Sequence, residues 1–226
     1  MQWDDIGFLI SLNKYNENSA IAEFFTEKHG KCTGIIFGAT SKKVKSYLQL
    51  GNKLHLNYNT KIETRLGYFK IEIFKANAPF YFDNNTKLSC IVLAMNLIKL
   101  LTVESQENIK IYNLIESFFS ILNYKEWIKE YIFWELKLLE LVGYNLQLEK
   151  IANFEIIENE KKYFVKSTSE KKYIPNFLID KNNTYLEKNE LLNGLNLVGD
   201  FLDKNVLRPN NIKFPISRIE IVNLFK

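Results

Sequence analysis

The side chains in this 226-residue chain best placed to do chemistry are lysines. Positions 28–62 hold Lys28, Lys31, Lys42, Lys43, Lys45, Lys53 and Lys61, with His29 and His55, and not one aspartate or glutamate. Composition explains part of this, because Lys, Asn, Ile, Phe and Tyr are abundant throughout. It does not explain the missing acids, since Glu is common everywhere else. A surface with that bias attracts polyanions, binding phosphates through charge alone and so without reading base sequence. Tyr15, Phe37, Tyr47 and Tyr58 offer rings on which bases could stack, although core packing is the commoner use of such residues.

Familiar catalytic patterns are missing. The segment 38–43, Gly-Ala-Thr-Ser-Lys-Lys, echoes a phosphate-binding loop but lacks its second glycine. His29 and His55 lie 26 residues apart and form no metal-binding pair. Cys32 reads as a buried thiol in an apolar strand, and with Cys90 it makes neither a C-x-x-C unit nor a disulfide framework. Glu135, between Phe133, Trp134 and Leu136, is the one acid in an apolar setting. An ion pair with Arg208 or Arg218 is the expected role for it, ahead of acid catalysis. The expectation is a protein that is not an enzyme and carries no cofactor.

The elements that must position these residues fall into two halves. From residue 3 to 74 the apolar pattern has period two, in five short strands: Ile6 to Leu12, Ala20 to Phe24, Cys32 to Ile36, Leu54 to Tyr58, and Phe69 to Ile73. Five strands in this length suit an OB-fold, and an SH3-like barrel fits the pattern almost as well. Lys42, Lys43 and Lys45 would lie in a loop between strands, and Lys28 and Lys31 beside a turn at the other end of a strand. After Ala78-Pro79 the period turns helical. Helices are expected around 88–98, 111–122 and 128–139, the last ended by Gly143, then a strand pair at 154–157 and 163–165 turning at 158–160. A fourth helix should cover 191–202. A fifth should start at Ser217, with Ser217 and Glu220 as a capping box and Ile216 and Ile221 as a hydrophobic staple. The expected class is α+β: a five-stranded antiparallel OB-fold barrel over 1–79, then a mainly helical domain over 80–226 with a β-rich insertion at about 151–180.

Residues 1–78 carry eleven basic and seven acidic side chains, while the remaining 148 balance at nineteen each. The charge surplus therefore sits with the barrel. The longest apolar run, 91–103, is interrupted by Asn96 and Lys99 and is too short to span a bilayer, so a cytoplasmic protein without membrane contact is expected.

Three segments carry a family resemblance. Residues 19–30, Ser-Ala-Ile-Ala-Glu-Phe-Phe-Thr-Glu-Lys-His-Gly, with 38–43 and with Leu-Gln-Leu-Gly at 48–51, resemble the N-terminal domain of the bacterial recombination mediator RecO. Residues 133–144, Phe-Trp-Glu-Leu-Lys-Leu-Leu-Glu-Leu-Val-Gly-Tyr, look like the family's helix end. Leu207-Arg208-Pro209 and 215–218 are similar to its closing segment. The resemblance implies an N-terminal OB-fold, a helical C-terminal domain, and binding of single- and double-stranded DNA with annealing of complementary strands. It also implies docking on the C-terminal tail of single-stranded DNA-binding protein, and cooperation with RecR to load RecA, all at the nucleoid. Lys42 and Lys43 match the family's DNA-binding loop, with Lys31 close by; Lys28, Lys45 and Lys53 join them on charge pattern alone.

The chain departs from the family twice. Many relatives carry a cysteine-based zinc knuckle after the helix end, but residues 148–153 read Leu-Glu-Lys-Ile-Ala-Asn, so no zinc is expected. Relatives place arginine before the aromatic-Glu pair, where this chain has Ile132 and Phe133. Lys129 or Lys137, near Ile132 on the same helix, would then meet the partner's tail. An OB-fold RNA-binding protein, a nucleotide-using enzyme and a non-catalytic assembly subunit are the competing readings of the same lysines.

Overall fold

The structure is a computed structural model that describes residues 1–61, 66–157, 160–166, 171–180 and 187–225. It divides into two compact units, Met1–Ser120 and Ile121–Lys226.

The first unit is a closed barrel, β1 (Gln2–Lys14), β2 (Ser19–Thr26), β3 (Gly30–Phe37), β4 (Lys53–Asn59) and β5 (Gly67–Lys75), in the order β1-β2-β3-β5-β4. Neighbouring strands are antiparallel except β3 and β5, which pair in parallel through Gly34 and Ile35 and so close the barrel. This is the OB topology, and it settles the choice against an SH3-like barrel. Leu9, Ala22, Phe24, Ile36, Leu54, Leu56 and Phe69 fill the interior. Gly34 is required at the closure, because a Cβ there would stand 2.6 Å from the Phe69 ring.

β1 is longer than the period-two pattern suggests, and it is buried continuously from Gly7 to Ser11, with a register shift between Leu9 and Ser11. Helices cause this. Leu9 points into the barrel, whereas Phe8 packs against Tyr112 and Phe119 of α3 (Ile109–Ile121), and α2 (Asn85–Leu101) also packs on β1. Lys42, Lys43 and Lys45, expected in a loop, lie instead on a short helix, α1 (Lys42–Tyr47), between β3 and β4. The Ser41 hydroxyl caps it, accepting from the Val44 N–H at 3.4 Å, which satisfies one of the donors a helix start leaves open.

The second unit contains α4 (Trp127–Leu141), α5 (Leu148–Ile151), a three-stranded sheet of β6 (Asn153–Ile157), β7 (Glu160–Lys166) and β8 (Lys171–Ile174), then α6 (Lys188–Leu202) and α7 (Ile216–Leu224). The expected strand pair is present with a third strand added; the turn expected at Glu158 and Asn159 lies outside the described residues. Gly143 follows α4 at a φ of 96°, as its predicted role requires. The predicted capping box is not formed. Pro215 occupies the N-cap with no side-chain cap bond, Ser217 is buried inside the helix, and Ile216 is 73% exposed, so it staples nothing. The N-cap is thus Pro215, two residues before Ser217, and the helix begins at Ile216. Glu135 and Arg218 form an ion pair in the core of this unit, and the Arg218 Nη2 also donates to the Leu195 carbonyl at 2.7 Å.

Candidate nucleic-acid interface and partner groove

The barrel's strands sort the window lysines into two groups. One end of the barrel gathers the end of β1, the start of β2, the end of β3 and the start of β5, since Ser19 pairs with Phe37 and Ile35 with Tyr68. The Asn18 carbonyl accepts from the Ala39 N–H at 3.1 Å, and its side-chain oxygen accepts from the Thr40 hydroxyl at 2.8 Å, tying the β1–β2 loop to the approach to α1. Lys42, Lys43 and Lys45 are exposed here, and Lys14 stands exposed beside Lys45 across a shallow groove. No ion pair involves these four lysines among the described residues. Phe37 is 60% exposed and meets Tyr68 at 5.9 Å, and Tyr15 is exposed nearby. Cations and open rings thus share one rim. Tyr47 and Tyr58, also candidates for stacking, pack against the barrel core instead.

The other lysines lie elsewhere. Lys28 is exposed, but at the β2–β3 turn, the opposite end of the barrel. Lys31 reaches the C-terminus of α2, where its Nζ donates to the carbonyls of Lys99 at 3.0 Å and Thr102 at 2.6 Å, the position a helix reserves for a cation. Lys53 is buried, paired with Glu116 and held 5.2 Å from the ring centroids of Phe8, Phe74 and Tyr112. These two ammonium groups bind the helices to the barrel, and the structure does not bring them to the rim. Lys14 and Tyr68 were missed by sequence reasoning because both lie outside the acid-free window.

Cys32 and His29 both sit in structural contacts of the barrel. The Cys32 thiol is pushed up to about 12, first by burial and then by the carboxylates of Glu104 and Asp5, so it stays protonated at neutral pH. The His29 Nδ1–H donates to Asp5 Oδ2 at 2.8 Å, and its ring stacks on Trp3 at 4.1 Å. Burial by itself pushes the Asp5 carboxyl up. Hydrogen bonds from the His29 ring, the backbone N–H groups of Lys28 and Ile6, and the Thr26 side chain outweigh it and hold the acid below its ordinary value.

In the second unit, Lys129 and Lys137 of α4 line one groove of about 710 Å³ together with residues 145–150 and Leu178. Lys129 is nearly buried, while Lys137 is half exposed and pairs with Glu140 at 2.9 Å. Ile132 is not in that groove; it is fully buried and packs beside Gly194 of α6. Phe133 and Leu136 of α4 give the groove an apolar lining with Leu146, Leu148 and Leu178, none of which the sequence reading assigned to the partner site. A zinc knuckle does not fit this unit, because residues 91–226 contain neither cysteine nor histidine. Phe164 and Ile174 of the small sheet are buried, and Lys171 lies over the Phe164 ring.

A closed OB barrel whose rim carries open lysines and rings places the chain among OB-fold proteins, whose common ligands are oligonucleotides and oligosaccharides. Comparison with known proteins narrows that class. Residues 1–76 match the family model for the recombination protein O N-terminal domain, and residues 84–211 match that for its C-terminal domain. The DNA repair protein RecO of Ehrlichia chaffeensis is 29% identical over 99% of this chain and 98% of its own length. That of Wolbachia pipientis from Culex pipiens is 29% identical over 96% and 97%, and that of Roseobacter denitrificans is 31% identical over 67% and 64%. The chain belongs to the RecO family, and its role lies in DNA repair and recombination. No helix among the described residues is long and apolar enough to cross a membrane.

Proposed function

We propose that this protein is a non-enzymatic recombination mediator. It binds single- and double-stranded DNA on the rim formed by Lys14, Lys42, Lys43 and Lys45, and anneals complementary strands there. It docks on the acidic tail of single-stranded DNA-binding protein through the groove of its second unit, and with RecR it helps load RecA. The observation that carries this reading is the grouping of those exposed lysines with Phe37 and Tyr15 at one barrel end. Cations follow the phosphate backbone while rings accept bases of any sequence, which suits a protein that must act on every strand.

The test is annealing of complementary strands, naked and coated with single-stranded DNA-binding protein. The wild type should anneal both, and Lys42→Glu/Lys43→Glu should lose DNA affinity by tenfold or more at low salt, on the order expected when phosphate contacts are removed and charge is reversed. Unchanged affinity in that variant would overturn the reading. Preference for RNA in a competition would move it to the RNA-binding alternative. The small sheet is proposed to stand without zinc, so a chelator should leave the melting temperature where it was.

A further inference from the structure

The groove on the second unit carries its own counter-charges. Lys129, Lys137 and Lys150 line it, and so do Glu130, Glu140 and Glu149. A groove built to draw in an acidic tail by charge would show a cationic excess, and this one is balanced. Of the groove's two exposed cations, Lys137 and Lys150, Lys137 is already engaged: its Nζ donates to Glu140 Oε2 at 2.9 Å, with the two side chains 51% and 46% exposed. Both lie on α4, three residues apart, so the pair sits across adjacent turns of one helix beside Phe133 and Leu136.

Resting on the docking reading above, we infer that Glu140 sets the affinity and salt response of this groove by occupying Lys137 in place of the partner's carboxylate. An incoming acidic peptide must displace Glu140 to reach Lys137, or else settle for Lys150 and the apolar lining. Exposed ion pairs are weak and exchange readily, so Glu140 tempers docking without blocking it. The occupant is an acidic peptide with a large apolar end. The lining of Phe133 and Leu136 takes that end, while the balanced rim gives no long-range attraction. Affinity then rests on the apolar contact and changes little with salt.

The experiment titrates a labelled synthetic acidic peptide ending in phenylalanine onto the full chain at low and high salt. Wild type should bind with little salt dependence. Glu140→Gln, a surface change that keeps the side-chain shape, should bind about threefold to tenfold tighter at low salt, with the gain lost at high salt. Lys137→Gln/Glu140→Gln should return to wild-type affinity, which assigns the gain to Lys137. If Glu140→Gln binds no tighter, or the double variant keeps the gain, the inference fails while docking stands. Absence of peptide binding to both wild type and Glu140→Gln overturns docking itself, and the inference with it.

Discussion

Asp5 shows how much one side chain in this barrel holds together. Its carboxylate accepts from the ring of His29, from the backbone N–H groups of Lys28 at 2.9 Å and Ile6 at 2.8 Å, and so fixes the turn that begins β3. Its folded-state ionisation lies below the ordinary carboxylate value, so its stabilising effect is present above that value and is lost as pH falls through the lowered one. Asp5→Asn should therefore cost about 1–3 kcal/mol at pH 7, the scale of hydrogen bonds to a charged acceptor. The gap to wild type should close at strongly acidic pH, read by urea melts across that range. A gap of constant size would show that shape, not charge, is what Asp5 contributes. Lys53 teaches the complementary lesson. In sequence it is one more lysine of the acid-free window, yet Glu116 and three rings enclose it. Nothing near Lys53 in sequence announces this, because its partners come from β1, β5 and α3. The exposure of Lys42, Lys43 and Lys45 was legible because nothing in the described structure covers them, whereas Lys14, outside the window, was missed.

The strands of the barrel were legible for a plain reason: each buries one face, and alternation records it. Elements that break a simple period were not. α1 is six residues with no buried member, so no pattern marks it, and β8 is four residues of which only Ile174 is buried. The capping box failed because Pro215 outranks a serine two residues later in fixing where a helix starts. The least legible feature was how far α2 and α3 belong to the barrel unit. Lys31 reaches the end of α2, Lys99 of α2 pairs with Glu23 of β2 at 2.6 Å, and the Tyr81 hydroxyl donates to the Phe119 carbonyl at 3.0 Å. Gly30 has a φ of 65°, and a Cβ there would stand 1.9 Å from the Gln106 carbonyl oxygen, so the segment after α2 lies directly on the turn. A fragment of residues 1–79, the barrel as sequence alone divides it, exposes Phe8 and strips Lys53 of Glu116. It should lack a cooperative thermal transition, whereas a fragment of residues 1–120 should melt cooperatively. Equal cooperativity in calorimetry would mean that the helices merely cover a barrel able to stand by itself.

The charge of the chain is small for a DNA-binding protein, thirty basic against twenty-six acidic side chains, so the distribution decides what can be bound. Four lysines on one rim, each neutralising a phosphate, would release about 0.7 counterion apiece from a single strand and about 0.9 from a duplex. The logarithm of the single-strand affinity should then fall with the logarithm of salt at a slope of about minus three, and somewhat more steeply for duplex. Lys42→Glu/Lys43→Glu removes half of those contacts, and the single-strand slope should shrink to about minus one and a half. Lys28→Glu, at the far end of the barrel, should leave it unchanged. The measurement is fluorescence anisotropy of a labelled oligonucleotide at four or more salt concentrations. A slope near minus eight in the wild type would mean that many more lysines reach the backbone, and the rim would then be one part of a wider surface. A slope near zero would mean that stacking on Phe37 and Tyr15 carries the affinity and that the cations only orient the strand. The predicted middle value follows from the division of the acid-free window: its lysines at α1 are open to phosphate, whereas Lys31 and Lys53 are spent on holding helices to the barrel.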